Sequence, residues 1–128
     1  MSSRITEADL QQAHTEVIQY LGGFMQNLRA PKAQYNCRRD EVLTFFRKLP
    51  LWQEVRNASG HAIFKHKVTG VVVGLQAHGG NTVNPTQMNS ILEGVQKHIN
   101  KLGNDILGIG RGWRTTVPDY RRALERLH

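Results

Sequence analysis

The chain has 128 residues, of which 39% are hydrophobic and 21% are charged, and a formal net charge of +7. This length suits one compact domain, and the single cysteine, Cys37, excludes an internal disulfide framework and a cysteine-rich zinc site. No apolar run approaches the roughly 18 residues of a membrane span, and the first residues lack the apolar core of a signal peptide. We therefore expect a cytoplasmic protein with no membrane partner.

The positive charge is unevenly distributed along the chain. Residues 1–28 carry one base and three acids, so this segment has a charge of −2 and the remaining residues total +9. A basic body favours a polyanionic partner such as nucleic acid, although a solvated basic surface without a partner has the same composition.

The first predicted element is a helix that begins after Thr6, whose hydroxyl can cap it, with Glu7 and Asp9 at the positive end of its dipole. An apolar stripe follows at helical spacing, formed by Leu10, Val17, Leu21, Phe24 and Leu28. The stripe predicts packing against the rest of the chain or, as the alternative, a seam for a homodimer or another partner. Two adjacent glycines at 22–23 predict a kink or break in this helix.

A second helix is predicted from Asn36, as its cap, to Leu49, because Pro50 disfavours helical geometry in the residue before it. Its expected buried face consists of Val42, Leu43, Phe45, Phe46 and Leu49. The period then changes from helical to alternating, which predicts three strands. They are Trp52–Arg56, His61–His66 and Val71–Ala77, with turns at 57–60 and 67–70, and we expect an antiparallel meander that needs helices on one face.

The next helix is predicted from Pro85 to Leu102, because Asn84 is a good N-cap and Gln87 can complete a capping box. Gly103 is placed where this helix would end in a left-handed conformation. These elements together predict an α+β fold, with a three-stranded antiparallel sheet covered on one face by helices. The core of that fold would span 36–103, with an N-terminal helical extension at 1–30 and a loop and terminal helix at 104–128.

The segment after this core contains a glycine-rich stretch, Gly108–Gly112, that predicts a flexible joint. Trp113 follows it, flanked by Arg111 and Arg114. These side chains can stack on and pair with RNA, or Trp113 can serve as a hydrophobic plug. A terminal helix is predicted over 119–127.

His61 is the candidate for chemistry. Alternation along the second strand places His61, Ile63 and Lys65 on the open face of the sheet, opposite Ala62 and Phe64. An accessible imidazole can take or give a proton near neutral pH, whereas the plainer interpretation is a surface or packing residue. The histidines of this region lack the close spacing of metal ligands, so we expect no metal site.

Five separate segments resemble the HicA-type toxin family of bacterial toxin–antitoxin modules. They are Glu54–Arg56, the turn at Ser59–Gly60, His61–His66, Val73–Gly80 and Met88–Leu92. The resemblance implies a fold like that of double-stranded-RNA-binding domains and the activity of a metal-independent mRNA interferase. It also implies neutralisation by a cognate antitoxin, which we expect to be a small acidic protein, and places His61 at the catalytic histidine. Ala62 stands where a second histidine is usual, and Gln76 stands near a customary proline.

The mechanism implied by the resemblance is acid–base cleavage of RNA. His61 would remove the proton of a ribose 2′-hydroxyl, which then attacks the adjacent phosphate. Lys65 and Lys67, or an arginine brought in by folding, would stabilise the developing negative charge. The expected RNA contacts are Lys65, Lys67, His78, Arg56, Ser59 and Gly60, and no cofactor is expected.

Three functions are therefore consistent with the sequence. The first is a ribonuclease, and the second is a non-catalytic RNA-binding module on the same fold. The third is a protein-interaction domain, whose acidic N-terminal arm covers the basic sheet or binds another chain.

Overall fold

The computed structural model describes residues 4–29, 38–56, 61–76 and 82–128. The N-terminal helix consists of α1 (Glu7–Glu16), a π-helical segment π1 (Val17–Leu21) and α2 (Gly22–Arg29). Then come α3 (Arg39–Arg47), β1 (Trp52–Arg56), β2 (Ala62–His66) and β3 (Val72–Leu75). They are followed by α4 (Pro85–Asn100), a second π-helical segment π2 (Lys101–Ile106) and α5 (Tyr120–Leu127).

The three strands form one antiparallel sheet in the order β1-β2-β3, which confirms the predicted α+β fold. Ile63 at the centre of the sheet pairs with Val55 on one side and Gly74 on the other. Along β2, Ala62, Phe64 and His66 are buried against the helices, whereas Lys65 is exposed. The predicted assignment of the two faces is therefore confirmed.

The N-terminal helix begins at a reciprocal capping box. The Thr6 hydroxyl accepts a hydrogen bond from the backbone N–H of Asp9, and the Asp9 carboxylate accepts one from the backbone N–H of Thr6. The apolar stripe along the helix is buried in the core of the chain itself, through Leu10, Ala13, Val17, Leu21, Met25 and Leu28. Packing within the chain is confirmed, and this buried stripe is not available as a dimer seam.

The sequence predicted a kink or break at Gly22 and Gly23, but the helix does not break there. It widens instead into π1 directly before Gly22 and continues through both glycines in α2. Widening by one residue per turn changes which side chains face the core. Glu16, the last residue of α1, is fully buried, with Gln12 donating to one carboxylate oxygen at 3.2 Å. Burial raises the pKa of the Glu16 carboxyl, and the hydrogen bond from Gln12 offsets only part of this effect.

The helix α3 has Arg38 as its N-cap, while the predicted cap, Asn36, lies outside the described residues. Its aromatic residues join the N-terminal helix to the sheet. Phe45 stacks on Phe24 with ring centroids 4.0 Å apart, and Phe46 packs against Phe64 of β2 at 5.1 Å. The N-terminal helix therefore shares one hydrophobic core with the sheet.

The predicted start of α4 is confirmed, because the Asn84 side chain accepts from the backbone N–H of Gln87 at 2.8 Å and Pro85 is the first helical residue. The predicted end is wrong. Gly103 has no positive φ, and the helix continues through π2 to Ile106. The carbonyl of Gly103 accepts from the backbone N–H groups of Ile109 and Gly110, so the glycine permits close contact with the following turn.

A Gly103→Ala substitution is expected to destabilise the fold. An added Cβ would lie 2.8 Å from the Gly110 carbonyl oxygen and 2.8 Å from a Trp113 ring atom, and the backbone there cannot yield cheaply. We expect the free energy of unfolding to fall by roughly 1–3 kcal/mol, measured by urea titration.

Gly23→Ala is the matched control, because a Cβ at Gly23 meets no atom within 4 Å and the residue lies in an exposed part of a helix. It should raise the free energy of unfolding by roughly 0.5–1 kcal/mol, since alanine favours the helix. If Gly103→Ala were as stable as the wild type, the close approach to the turn would be contradicted.

The C-terminal segment is tied to the N-terminal helix. His14 is buried, and its Nε2 donates to the Trp113 carbonyl at 2.9 Å, while the Tyr120 hydroxyl is 2.8 Å from its Nδ1. The stretch predicted as a flexible joint is a hydrogen-bonded turn in which Gly108 and Gly110 have φ values of 69° and 56°. Trp113 is half-buried against His14, so packing accounts for much of its surface.

Candidate functional site

A groove lies between the open side of the sheet and the start of α4. It has a volume of about 470 Å³. On the sheet side, the lining comes from β2, β3 and the residues next to them, namely His61, Ile63, Gly74, Leu75 and Gln76. On the helix side, it comes from the start of α4, namely Asn84, Thr86, Gln87 and Ser90. We call this the His61 groove. Apart from Ile63 and Leu75, its side chains are polar or absent, so a ligand there can form hydrogen bonds as well as apolar contacts.

His61 directly precedes β2 and lines this groove together with Ile63. Its side chain is half-buried, as expected for a residue at the rim of a cavity. The strand places it there because β2 alternates, so that His61 and Ile63 share the face opposite the buried Ala62. The structure therefore places the imidazole at a surface that a ligand can reach.

Arg39 does not line the groove but contacts Gln76, which does. Its Nε donates to the backbone carbonyl of Gln76 at 3.0 Å. The adjacent residue, Arg38, forms an isolated antiparallel bridge with Thr82, two residues before the cap of α4. Sequence analysis did not identify Arg39, because the contact joins residues 37 apart in the chain and no local pattern signals it.

The start of α4 adds a further electrostatic feature. Asn84, Thr86 and Gln87 line the groove and form the first turn of a 16-residue helix. The positive end of the helix dipole therefore faces this region, and it favours negative charge there.

The two predicted RNA-binding lysines differ in their surroundings. Lys65 is exposed on the open face of the sheet, between its strand partners Gln53 and Val72. Lys67 lies in the turn after β2, and its ammonium forms an ion pair with Asp9 of α1 at 2.8 Å. The side chains of both residues are more than four-fifths buried, so the ion pair already compensates the charge of Lys67. Lys67 is not among the described residues that line the His61 groove.

The structure describes no side chain for the other residues predicted to contact RNA. Arg56 is the last residue of β1, and the structure describes its backbone alone. Ser59, Gly60 and His78 lie outside the described residues. The side chains that the structure brings to the groove from the predicted set are therefore His61 and, on the adjoining sheet surface, Lys65.

The histidines of the core have a different environment. His66 and His98 are fully buried, with ring centroids 4.1 Å apart, and Trp52 packs edge-on against both. Burial lowers the pKa of His66 to about 2, with a further contribution from the neighbouring His98, and lowers the pKa of His98 to about 4. Both rings are therefore neutral packing residues at physiological pH. Sequence analysis had placed His66 on this face but did not foresee the pairing.

The acidic N-terminal arm contacts the basic body at Lys67, but among the described residues it does not cover the open face of the sheet. Val55 and Val72 on that face are 55% and 53% exposed. The arm packs instead against the helical side of the molecule, where α1 contacts α5 and α2 contacts α4. Self-shielding of the sheet by this arm, one form of the third hypothesis, is therefore wrong for the described part of the chain.

Comparisons with models of protein families, with curated proteins and with solved structures gave no significant match. In the described ranges, no helix has the length and apolar character needed to cross a membrane. The same ranges contain no group of three or more histidine, cysteine or acidic side chains placed to hold a metal ion.

Proposed function

We propose that this protein binds RNA in the His61 groove and cleaves it without a metal, with His61 as the general base. The observation that carries the proposal is the position of His61 in a groove that also contains the first turn of α4 and Gln76, whose carbonyl Arg39 contacts. An imidazole can act as the base in phosphodiester cleavage, and a guanidinium and a helix N-terminus can stabilise the phosphate charge. The resemblance to HicA-type toxins supports the same assignment.

The chemistry begins at the ribose 2′-hydroxyl. His61 takes its proton, the 2′-oxygen attacks the adjacent phosphorus, and the bond from phosphorus to the 5′-oxygen breaks. The 5′-oxygen receives a proton from the imidazolium or from water, and the products carry a 2′,3′-cyclic phosphate and a 5′-hydroxyl. Arg39 and the dipole of α4 stabilise the extra charge on the phosphate oxygens. DNA is not a substrate because it lacks the 2′-hydroxyl.

RNA binding without cleavage is the second candidate, and one observation favours it. Among the described residues that line the groove, His61 is the single titratable side chain. With the described lining residues alone, cleavage relies on His61 in both roles or on water to protonate the leaving group.

The test is incubation of end-labelled RNA with the purified protein in EDTA, beside the same strand with every ribose 2′-O-methylated. We expect both strands to bind with an affinity that falls steeply with salt, and the unmodified strand alone to be cut, leaving cyclic phosphate ends. Binding of both strands with no cleavage would select the second candidate. No binding of either strand at low salt would contradict both.

The acidic antitoxin that the resemblance implies remains a prediction, as does a cytoplasmic location. The exposed valines of the open sheet face, Val55 and Val72, are apolar surface that such a partner would cover. Copurification with the product of an adjacent gene would test the antitoxin prediction.

A further inference from the structure

A second cavity lies at the other end of α4. It has a volume of about 540 Å³, within the range of small-molecule sites. One wall comes from α4 and π2, and the other comes from the turn before α5. Its lining residues are Gln96, Ile99, Asn100, Asn104, Gly110, Arg111 and Trp113. We call it the amide pocket, and it shares no lining residue with the His61 groove.

The pocket is named for three carboxamides that follow one another along the helix. Gln96, Asn100 and Asn104 are spaced four residues apart, and Gln96 Nε2 donates to Asn100 Oδ1 at 2.9 Å. Side-chain carboxamides both donate and accept hydrogen bonds, as the edges of nucleobases do. A row of amides held in register by such a bond can pair with a planar polar ring.

The opposite wall supplies an aromatic surface and a positive charge. Trp113 and Arg111 both line the cavity, and no acidic side chain is among its described lining residues. Indole rings stack on nucleobases, with roughly 1–3 kcal/mol per stacked base. Arginine binds phosphate through two parallel N–H bonds, which favours an anionic ligand over a neutral or cationic one.

This wall is held in place before any ligand binds. His14 donates to the Trp113 carbonyl at 2.9 Å and packs against the indole. The backbone N–H of Gly110 donates to the Gly103 carbonyl at 3.0 Å, in a turn that needs the positive φ of Gly110. A site whose walls are fixed in this way loses little conformational entropy on binding.

We propose that the amide pocket binds a nucleotide, with the base against Trp113, its edge on the row of amides and its phosphate on Arg111. The ligand class is a ribonucleoside monophosphate, either free or as one unit of an RNA strand. The site stands whether or not RNA is cleaved at His61, because the two cavities have no lining residue in common.

The experiment measures binding of the four ribonucleoside monophosphates to the full chain, by calorimetry and by quenching of tryptophan fluorescence. Arg111→Gln and Asn100→Asp are expected to weaken binding about tenfold or more, the first by removing the phosphate partner and the second by repelling it. The matched controls are Arg122→Gln and Asn89→Asp, exposed residues that do not line the pocket. These controls should bind like the wild type, and urea titration should show that all four variants fold.

Separate ligands distinguish the outcomes. Inorganic phosphate and the free nucleosides should each bind more weakly than the nucleotide. A short oligoribonucleotide that binds more tightly than the monophosphate, and loses that advantage in Arg111→Gln, assigns the pocket to an RNA strand, whereas equal binding assigns it to a free nucleotide.

Three results would overturn the proposal. They are the absence of binding by all four monophosphates at millimolar concentration, equal affinity of the wild type and both pocket variants, and equal affinity for phosphate and nucleotide.

Discussion

Acidification from pH 6.5 to pH 4.5 is expected to remove roughly 5 kcal/mol of stability that two buried histidines contribute, because the folded chain resists their protonation and the unfolded chain does not. The residues are His66 of β2 and His98 of α4, which join the sheet to its covering helix. A loss of this size is comparable to the whole stability of many small domains. The protein should therefore unfold cooperatively in mild acid.

The geometry of the pair explains why a proton is so unfavourable there. His66 Nδ1 accepts from the backbone N–H of Val68 at 3.1 Å, and His98 Nδ1 shares a hydrogen bond with the Thr69 hydroxyl at 2.8 Å. The Nε2 atoms of both rings and the indole nitrogen of Trp52 are buried and form no hydrogen bond with the described part of the chain. A positive charge on either ring would therefore have no compensating partner.

The sign of the effect follows from the direction of the pKa shifts. The pKa values of both rings are lowered from 6.5, to about 2 and about 4, so in acid the unfolded chain binds protons that the folded chain does not. The stabilisation is fully present above pH 6.5 and is lost as the pH falls towards 4. Lys101 donates to the carbonyl of Thr69, the residue whose hydroxyl is hydrogen-bonded to His98.

Two carboxyl groups modify this profile. The raised pKa of Glu16 stabilises the fold at low pH and loses that contribution as the pH rises above 4.5, so it opposes the histidine pair. Burial raises the pKa of Asp9, but hydrogen bonds from Lys67 and Thr6 lower it by more, so its contribution is lost as the pH falls through its usual value of 3.8. In the window from 6.5 to 4.5, Glu16 therefore reduces the loss of stability that the histidines cause, whereas Asp9 acts below this window.

The measurement is urea unfolding at intervals between pH 8 and pH 4, with the slope of stability against pH giving the protons taken up on unfolding. The histidine pair should contribute nearly two protons to the slope near pH 5, less the proton that Glu16 retains in the folded state. His128→Gln alters an exposed histidine and should leave the slope unchanged. Constant stability across this window, or a rise towards acid, would show that the pair is not buried as a neutral unit.

A His61→Gln substitution is expected to reduce RNA cleavage by about 10²–10⁴-fold, which is the usual contribution of a positioned general base. Glutamine keeps the side chain polar and of similar size but cannot take up the proton of the 2′-hydroxyl. Binding of the uncleavable 2′-O-methyl strand should be almost unchanged, because phosphate contacts supply most of the affinity.

Two further variants make this result specific. Arg39→Gln should weaken both binding and cleavage, because the contact of Arg39 with Gln76 places a positive charge beside the groove. His128→Gln should cleave like the wild type. If His61→Gln cleaved at the wild-type rate, the catalytic assignment would be wrong even if RNA still bound.

Much of the fold could be predicted from local sequence patterns. The alternation through β2 correctly assigned Ala62 and Phe64 to the core, and the Asn84–Pro85 pair fixed the start of α4. The apolar stripe of the N-terminal helix predicted its burial. These features depend on residues within a few positions of one another, which is the range over which periodicity and capping act.

The errors came from contacts between distant segments. Gly103 resembles a helix terminator locally, but the turn that contains Gly110 folds back on it, and the helix continues. The ion pair of Asp9 with Lys67 was not foreseen, because no pattern near Lys67 announces it, and the RNA contact of Lys67 stays a prediction. Arg39 contacts the Gln76 carbonyl through the same kind of long-range packing. Tertiary packing decides such placements, and a single sequence does not show them.

The most direct test of the central claim is amide NMR of the labelled protein with the 2′-O-methyl RNA strand, because it locates binding without requiring catalysis. Saturation should shift the resonances of Ile63, Gly74, Gln76 and Ser90, which line the groove from the sheet and from α4. His61→Gln should leave the same residues responsive. Bound RNA that left these resonances unmoved would contradict the assignment of the His61 groove as the RNA site.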